Sequence, residues 1–175
     1  MRVIGGDFRS RALKSVPGLD TRPTPDRLRE ALFNVLTPRI SGVVFADLYA
    51  GTGAVGIEAL SRGASRAIFV ESDRVAVNVI RENLRSLGLE ARAQVREGRT
   101  LQILKKMEAD IVFLDPPYAL AKEYPLALDL LGARPPALVV VQHDVRLKLE
   151  ESYGALQRGK VMKQGDNVLS FFEKP

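Results

Sequence analysis

Short apolar runs alternate with amphipathic segments along most of this chain, and this alternation restricts its possible folds more than any other feature. The runs "VVFADLYAG" (residues 43–51) and "RAIFVESD" (66–73) are typical of buried strands that end on acids and turn residues. After the second run, apolar residues recur at helical spacing as far as Gly88. Further strands are predicted over residues 91–98, 110–115 and 137–143. Nearly continuous Val, Ile and Leu strands separated by helices indicate a parallel sheet covered on both faces.

Both ends of the chain add to this predicted core. Near the C-terminus, "GKVMK" and "NVLSFFEK" flank "QGD", which indicates an antiparallel hairpin. Before the first strand, Pro25 can start a helix and Pro38 can stop it. We therefore expect an α/β protein with a mostly parallel sheet in a single domain over residues 24–175, preceded by a basic N-terminal arm over residues 1–23.

Positive charge is concentrated near the N-terminus. The net charge of the chain is +5, and residues 1–29 contribute +4 of it, from seven cations and three acids. An arginine-rich segment punctuated by Gly and Pro attracts a phosphate backbone, because each neutralised phosphate releases counterions. The alternative is a solvated basic surface. The candidate contacts to nucleic acid are Arg2, Arg9, Arg11, Lys14 and Arg27.

Composition excludes several classes of site. The chain has no cysteine, which excludes disulfides, thiolate metal sites and a cysteine nucleophile. Its longest internal apolar run, residues 137–141, is far shorter than a membrane span. We therefore expect a soluble, cytoplasmic protein with no membrane contact and no metal, and the sequence implies no oligomer.

A glycine-rich loop follows the first predicted strand. In "DLYAGTGAVGIEAL", Gly51, Gly53 and Gly56 have G-x-G-x-x-G spacing, which lets a ligand approach the backbone and the free N–H groups of a helix. Glu71 ends the second strand 20 residues after Gly51, where a carboxylate can accept from both hydroxyls of a ribose. Asp47 either meets a ligand amine, directly or through water, or caps the helix. Together these features predict a nucleoside-cofactor site.

Chain length favours one of the two cofactor classes that use such a loop. A nicotinamide enzyme needs room for a second nucleotide and a substrate domain, and 175 residues leave little space for them. S-adenosylmethionine has a single nucleoside, and its positive sulfonium tolerates nearby acids. We therefore predict S-adenosylmethionine as the cofactor.

The fourth predicted strand ends in the motif "DPPY". Pro116 and Pro117 have restricted backbones and no N–H groups, so they hold two acceptors, the Asp115 carboxylate and the Pro116 carbonyl, without competing for them. Such a corner can bind the two hydrogens of an exocyclic amino group and direct its lone pair at a methyl group. Tyr118 offers a ring face on which a base can stack. The alternative is a plain Asp-Pro-Pro turn.

These motifs resemble those of the RsmD-type family, methyltransferases that act on guanine N2 in small-subunit rRNA. The similarity also includes "RVIGGDFRSR", "TRPTPDRLREALFNVL" and "FVESDR", and it runs through nearly the whole chain in the same order. It implies a class I, Rossmann-like methyltransferase fold with a seven-stranded sheet, and an arm that engages rRNA in a partly assembled 30S subunit.

The resemblance also implies roles for individual residues. The DPPY residues Asp115, Pro116, Pro117 and Tyr118 correspond to the amino-group pocket. The corresponding cofactor contacts and their neighbours are Asp47, Tyr49, Gly51, Thr52, Gly53, Glu71 and Ser72, with Arg22 and Thr24 near the amino acid end. Gly98 and Arg99 stand where relatives often have a polar residue for the adenine, so a contact through the backbone is expected there. Gln142 stands where an acid is expected after the fifth strand.

Two other functions share part of this pattern. An N6-adenine methyltransferase acting on DNA or RNA uses the same DPPY motif, but it usually has a separate target-recognition region. A non-catalytic RNA-binding factor of ribosome assembly would use the basic arm alone, and it would not need a cofactor loop.

Overall fold

An eight-stranded sheet and five α-helices form the part of the chain that the computed structural model describes, residues 1–18 and 24–175. The strands are β1 (Val44–Leu48), β2 (Arg66–Glu71), β3 (Ala93–Glu97), β4 (Ile111–Leu114), β5 (Leu138–Asp144), β6 (Ser152–Tyr153), β7 (Leu156–Gln164) and β8 (Asn167–Glu173). The helices are α1 (Asp26–Ile40), α2 (Ala54–Ser61), α3 (Arg74–Ser86), α4 (Thr100–Leu104) and α5 (Glu123–Ala133). Single 3₁₀ turns cover Glu90–Arg92 and Tyr118–Leu120.

The strand order places a crevice at one edge of the sheet. The order is β3-β2-β1-β4-β5-β8-β7-β6, in which β1 to β5 are parallel and β7 and β8 are antiparallel. The connections reverse direction between β1 and β4, and in open α/β sheets ligands bind at such a point, outside the carboxyl ends of the strands. We call this edge the carboxyl edge. Leu48 pairs with Leu114, so the segments after β1 and β4 leave the sheet side by side.

Helices cover both faces of the sheet, as expected. Alternating strand residues belong to different cores because successive side chains of a strand point to opposite faces. Phe45 packs with the buried residues of α1, whereas Ala46 packs with those of α4 and α5. Ala67 and Phe69 of β2 pack with α2 and α3. No helix within the described ranges, 1–18 and 24–175, has both the length and the apolar character needed to cross a bilayer.

The predicted α/β class and the C-terminal hairpin are confirmed, but two details of the prediction are wrong. The sheet has eight strands, and not seven, because β6 pairs with β7. β6 was not predicted, since its two residues are too few to give an alternating pattern in the sequence. Pro38 does not stop α1, which continues to Ile40. Proline removes one hydrogen bond within a helix, and the burial of Ile40 against the core favours the last turn despite that loss.

The described part of the N-terminal arm, residues 1–18, is docked on the domain. Arg2 and Ala12 form an antiparallel bridge, so the arm runs out and back. Val3 and Leu13 are buried with side chains of α2 and α3, and Val16 packs on Ala76. The arm therefore contributes to the hydrophobic core.

Buried polar side chains of α2 and α3 bind the backbone of the arm. Glu58, which is 0% exposed, accepts hydrogen bonds from the N–H groups of Ile4 (2.9 Å) and Gly5 (2.8 Å). Asn83 accepts from the Lys14 N–H (2.7 Å) and donates to the Lys14 carbonyl (3.1 Å). These bonds satisfy peptide groups that would otherwise lack partners.

Gly56, the third glycine of the loop motif, lets α2 pack closely on β2. A Cβ atom at Gly56 would lie 2.4 Å from the Phe69 ring. We expect Gly56→Ala to lower the free energy of unfolding by about 2 kcal/mol, because overpacking outweighs the better helix propensity of alanine. Gly159→Ala is the matched control, since its Cβ would meet its nearest neighbour at 4.0 Å. Equal denaturant midpoints for the two variants would contradict this prediction.

Candidate active site

The glycine-rich loop connects β1 to α2 at the carboxyl edge. Tyr49 and Gly51 both have φ of 58°, and Gly53 has φ of 82°, so the loop turns through three left-handed residues. A side chain at Gly51 would meet no atom within 4 Å. The loop therefore presents an open backbone surface on which a ligand can lie.

Glu71 is fixed beside this loop at the end of β2. Its Oε1 accepts from the Gly51 N–H (3.0 Å), and its Oε2 accepts from the Ser72 N–H (2.8 Å). Oε2 also accepts from the Asp73 N–H, at a longer distance (3.4 Å). A carboxylate has about four acceptor positions, so Oε1 keeps a free position for a ligand hydroxyl, and a second hydroxyl could replace the long contact with Asp73. The Gly98 N–H donates to the Glu71 carbonyl (3.0 Å), which places the segment after β3 at the same edge.

Asp47 lies beneath the loop. It is 1% exposed, and its Oδ2 accepts from the Gly56 N–H (2.9 Å) in the first turn of α2. Burial raises the pKa of Asp47 well above its usual range, and the charges of Asp115 and Glu71 raise it further. The structure therefore gives Asp47 the capping contact that was the alternative interpretation, and a direct contact with a ligand amine stays a prediction.

The other candidate cofactor residues lie around the same edge. The Tyr49 hydroxyl donates to Glu123 (2.8 Å), and burial, followed by this carboxylate, raises the Tyr49 pKa. Thr52 Oγ1 accepts from the Ala54 N–H (3.3 Å). Thr24 donates to the Gln142 side chain (3.4 Å), which brings the start of α1 to the end of β5. Ser72 and Arg99 are exposed, and Arg22 lies outside the described residues.

The DPPY segment begins directly after β4. Asp115 is partly buried, and this burial raises its pKa to about 7. Pro116 is buried, whereas Pro117 and Tyr118 are exposed. Within residues 1–18 and 24–175, no group donates a hydrogen bond to the Asp115 carboxylate.

Two residues of this edge, Asp144 and Arg146, were missed in the sequence. The predicted fifth strand stopped at His143, but β5 includes Asp144, an acid two positions after Gln142. Asp144 accepts from the Tyr118 hydroxyl (3.3 Å), and Arg146 also donates to that hydroxyl (3.0 Å). The sequence does contain a signal for these two residues, since "QHDVR" places Asp144 and Arg146 directly after an apolar run. His143 is buried and contacts Ser170 (2.8 Å).

The candidate RNA contacts occupy two ends of the molecule. All five side chains are exposed. The turn of the arm binds Ser61 at the end of α2, and Arg11 donates to the Ser86 carbonyl at the end of α3 (3.2 Å). Arg9 and Arg11 therefore lie at the edge opposite the glycine-rich loop. Lys14 pairs with Glu82 (2.8 Å), and Arg27 is in the first turn of α1, close to the carboxyl edge.

Comparison with known proteins identifies the family. Residues 1–173 match the family model described as Conserved hypothetical protein 95. The chain belongs to this family. YlbH of Bacillus subtilis is 37% identical over an alignment of 183 positions that covers 99% of each chain. Ribosomal RNA small subunit methyltransferase D of Escherichia coli K12 is 41% identical over 120 residues, which are 67% of this chain and 60% of that protein.

A solved structure has the same architecture over nearly the full length. The Escherichia coli protein yhhF superimposes with a TM-score of 0.87 at 31% identity, covering 99% of this chain and 97% of that one. Family membership and this fold confirm the predicted RsmD-type methyltransferase of class I, which depends on S-adenosylmethionine. The alignment with the Escherichia coli methyltransferase D spans less than two thirds of that relative.

Proposed function

We propose that this protein transfers a methyl group from S-adenosylmethionine to the exocyclic N2 amino group of a guanosine in small-subunit rRNA. The observation that carries the proposal is the position of Asp115. Its carboxylate follows β4 directly, next to the loop that follows β1, and the described residues offer it no hydrogen-bond donor. It therefore suits an amino group of the substrate as its donor.

The charge of the site favours a cationic cofactor. The pKa of Asp47 is raised by the charges of two nearby carboxylates, Glu71 and Asp115. A positive ligand offsets this repulsion, and S-adenosylmethionine, when bound, supplies a sulfonium and an electrophilic methyl group. Glu71 would accept from its ribose hydroxyls, the loop backbone at Gly51 would lie against it, and Thr24 would be near its amino acid end.

The DPPY residues would orient the acceptor. Asp115 and the Pro116 carbonyl would accept the two N–H bonds of the guanine amino group, and Tyr118 would stack on the base. With S-adenosylmethionine bound, its methyl group would pass from the sulfur to the nitrogen, and the carboxylate of Asp115 would receive the proton that the nitrogen loses. The pKa of about 7 suits this transfer near neutral pH.

The identity of the substrate rests on the relatives and on charge. The Escherichia coli relative is named a small-subunit rRNA methyltransferase. The exposed cations of the arm suit the phosphate backbone of rRNA. We propose that this rRNA is part of a partly assembled 30S subunit in the cytoplasm. We would measure transfer from labelled S-adenosylmethionine to protein-free rRNA and to partly assembled subunits, and identify the product. N2-methylguanosine would support the proposal, N6-methyladenosine would favour the adenine alternative, and no transfer would contradict both.

Glu71 provides a separate test of the cofactor site. We expect Glu71→Ala to weaken S-adenosylmethionine binding by about 10-fold to 100-fold, because charged hydrogen bonds to the ribose and to the Gly51 N–H are both lost. Isothermal titration calorimetry measures this change. Glu97→Ala is the matched control, since Glu97 is the paired acid at the end of β3 and should not contact the cofactor. Equal affinities for both variants would contradict the role of Glu71.

A further inference from the structure

Tyr118 is strongly exposed, yet its hydroxyl is held. The side chain is 80% exposed, as expected of a surface tyrosine without a packing role. However, its hydroxyl lies 3.3 Å from Asp144 Oδ2 and 3.0 Å from Arg146 Nη2. The ring is thus open to solvent on its faces while its tip is fixed.

Asp144 and Arg146 form a bidentate ion pair beside that hydroxyl, with the Arg146 side chain 75% exposed. Arg146 Nε donates to Asp144 Oδ1 (2.8 Å), and Nη2 donates to Oδ2 (2.9 Å). The Arg146 N–H also donates to Oδ1 (2.8 Å). Two parallel bonds between a guanidinium and a carboxylate restrict orientation more than a single contact does. These bonds lower the pKa of Asp144, so the pair stays charged at neutral pH.

The contact between this pair and Tyr118 links the ends of two neighbouring strands at the carboxyl edge. Leu114 of β4 pairs with Val141 of β5, so Tyr118 and Asp144 both lie just beyond these paired residues. The contact therefore ties the DPPY segment to the end of β5. Exposed side chains close in sequence to Tyr118 are Leu120 and Lys122, and those close in sequence to Asp144 and Arg146 are Val145 and Lys148. Apolar faces next to cations suit the base and the phosphate of an unpaired nucleotide.

We propose that Asp144 and Arg146 are positioning residues that hold the Tyr118 ring as a fixed stacking platform for the target base. This inference rests on the proposed function. A free tyrosine loses rotational freedom when a base stacks on it, whereas a fixed ring has lost that freedom already. Fixing the ring also fixes the base relative to Asp115, and small errors of orientation lower the rate of transfer strongly.

A double-mutant cycle tests this arrangement. Tyr118→Phe keeps the ring and removes the hydroxyl, and Asp144→Ala removes the carboxylate that holds it. We expect each variant to lower kcat on rRNA by about tenfold, with a smaller change in KM. The double variant should be no slower than Asp144→Ala, because both changes break the same contact. Independent effects that multiply would overturn the proposal.

A charge-preserving change separates positioning from phosphate binding. Arg146→Lys keeps the cation but loses the bidentate geometry, so we expect it to be as slow as Arg146→Ala. Two results together would make Arg146 a phosphate contact and overturn the positioning role. They are full activity of Arg146→Lys and, for Arg146→Ala, a decrease of about 0.7 in the slope of log rRNA affinity against log salt concentration. Arg39→Ala, which breaks the exposed Arg39–Glu173 pair away from the site, is the control and should keep the parent kcat and KM.

A measurement without substrate distinguishes failure of this inference from failure of the proposed function. The chain has four tyrosines, so the ring signals of Tyr118 can be assigned in carbon-13 NMR spectra by comparison with Tyr118→Phe. We expect Asp144→Ala to shift these signals and to increase the motion of the ring. Unchanged signals would overturn the contact itself. A clear change, in a protein that methylates no rRNA, would keep the contact and reject the proposed function.

Discussion

Replacing Asp115 with alanine is expected to lower kcat by about 100-fold to 1,000-fold. S-adenosylmethionine should still bind with nearly the parent affinity. The carboxylate is proposed to hold the amino group of the base and to face the positive charge that develops on its nitrogen, and removing one group aimed at developing charge typically costs that much in rate. Methyl transfer and calorimetric cofactor binding, measured on the same preparation, check both halves of the prediction. Activity close to that of the parent would reject the role of Asp115.

The raised pKa of Asp115 gives this prediction a pH dependence. The ionised form accepts the hydrogen bond of the amino group that faces Asp115 and can receive its proton, so kcat/KM should rise with pH through about 7. The folded state holds this proton up to about pH 7, whereas the unfolded chain releases it near pH 4, so the contribution of Asp115 to stability falls as pH rises between these values. Asp115→Asn removes the buried charge, and at pH 8 we expect it to be more stable than the parent by roughly 2 kcal/mol. A stability difference that is the same at pH 4 and pH 8 would contradict this explanation.

Replacing Glu58 with alanine is expected to detach the N-terminal arm and to lower the free energy of unfolding by about 3 kcal/mol or more. Its buried carboxylate binds the N–H groups of Ile4 and Gly5 and the side chain of Arg62 (2.9 Å). Removing it leaves buried donors without partners. Denaturant unfolding measures the loss, and hydrogen exchange at Ile4 and Gly5 should become fast.

The exposed acid Glu82 is the control for this change, because it binds the side chain of Lys14 and leaves the arm backbone untouched. Glu82→Ala should leave unfolding and exchange unchanged, since solvent screens exposed pairs. If the arm also binds rRNA as predicted, Glu58→Ala should weaken rRNA affinity but not cofactor affinity. Slow exchange at Ile4 and Gly5 in Glu58→Ala would show that the arm stays docked without this carboxylate.

The site was easier to predict from the sequence than the arm. Strand patterns place Glu71 and Asp115 at one edge, because the carboxyl ends of parallel strands meet there. Glu58 and Asn83 gave no such signal, since each is a polar residue in a helix whose burial depends on a segment more than 50 positions away. Asp144 was missed because the end of a strand cannot be fixed to one residue from its apolar pattern. Strand β6 was missed for another reason, since its two residues are too few to give an alternating pattern.

The docking of the arm has an evolutionary consequence. The bonds from Glu58 and Asn83 reach peptide groups of the arm, and Ser61 likewise binds the Gly5 carbonyl and the Phe8 N–H. Main-chain atoms are the same for nearly every amino acid, so substitutions at outward-facing positions such as Arg9 leave these bonds intact. The arm can therefore diversify on its outer surface while its anchorage is preserved, as a grafted loop does on an antibody framework. If the arm binds rRNA as predicted, selection can change which rRNA surface it contacts without rebuilding the rest of the fold.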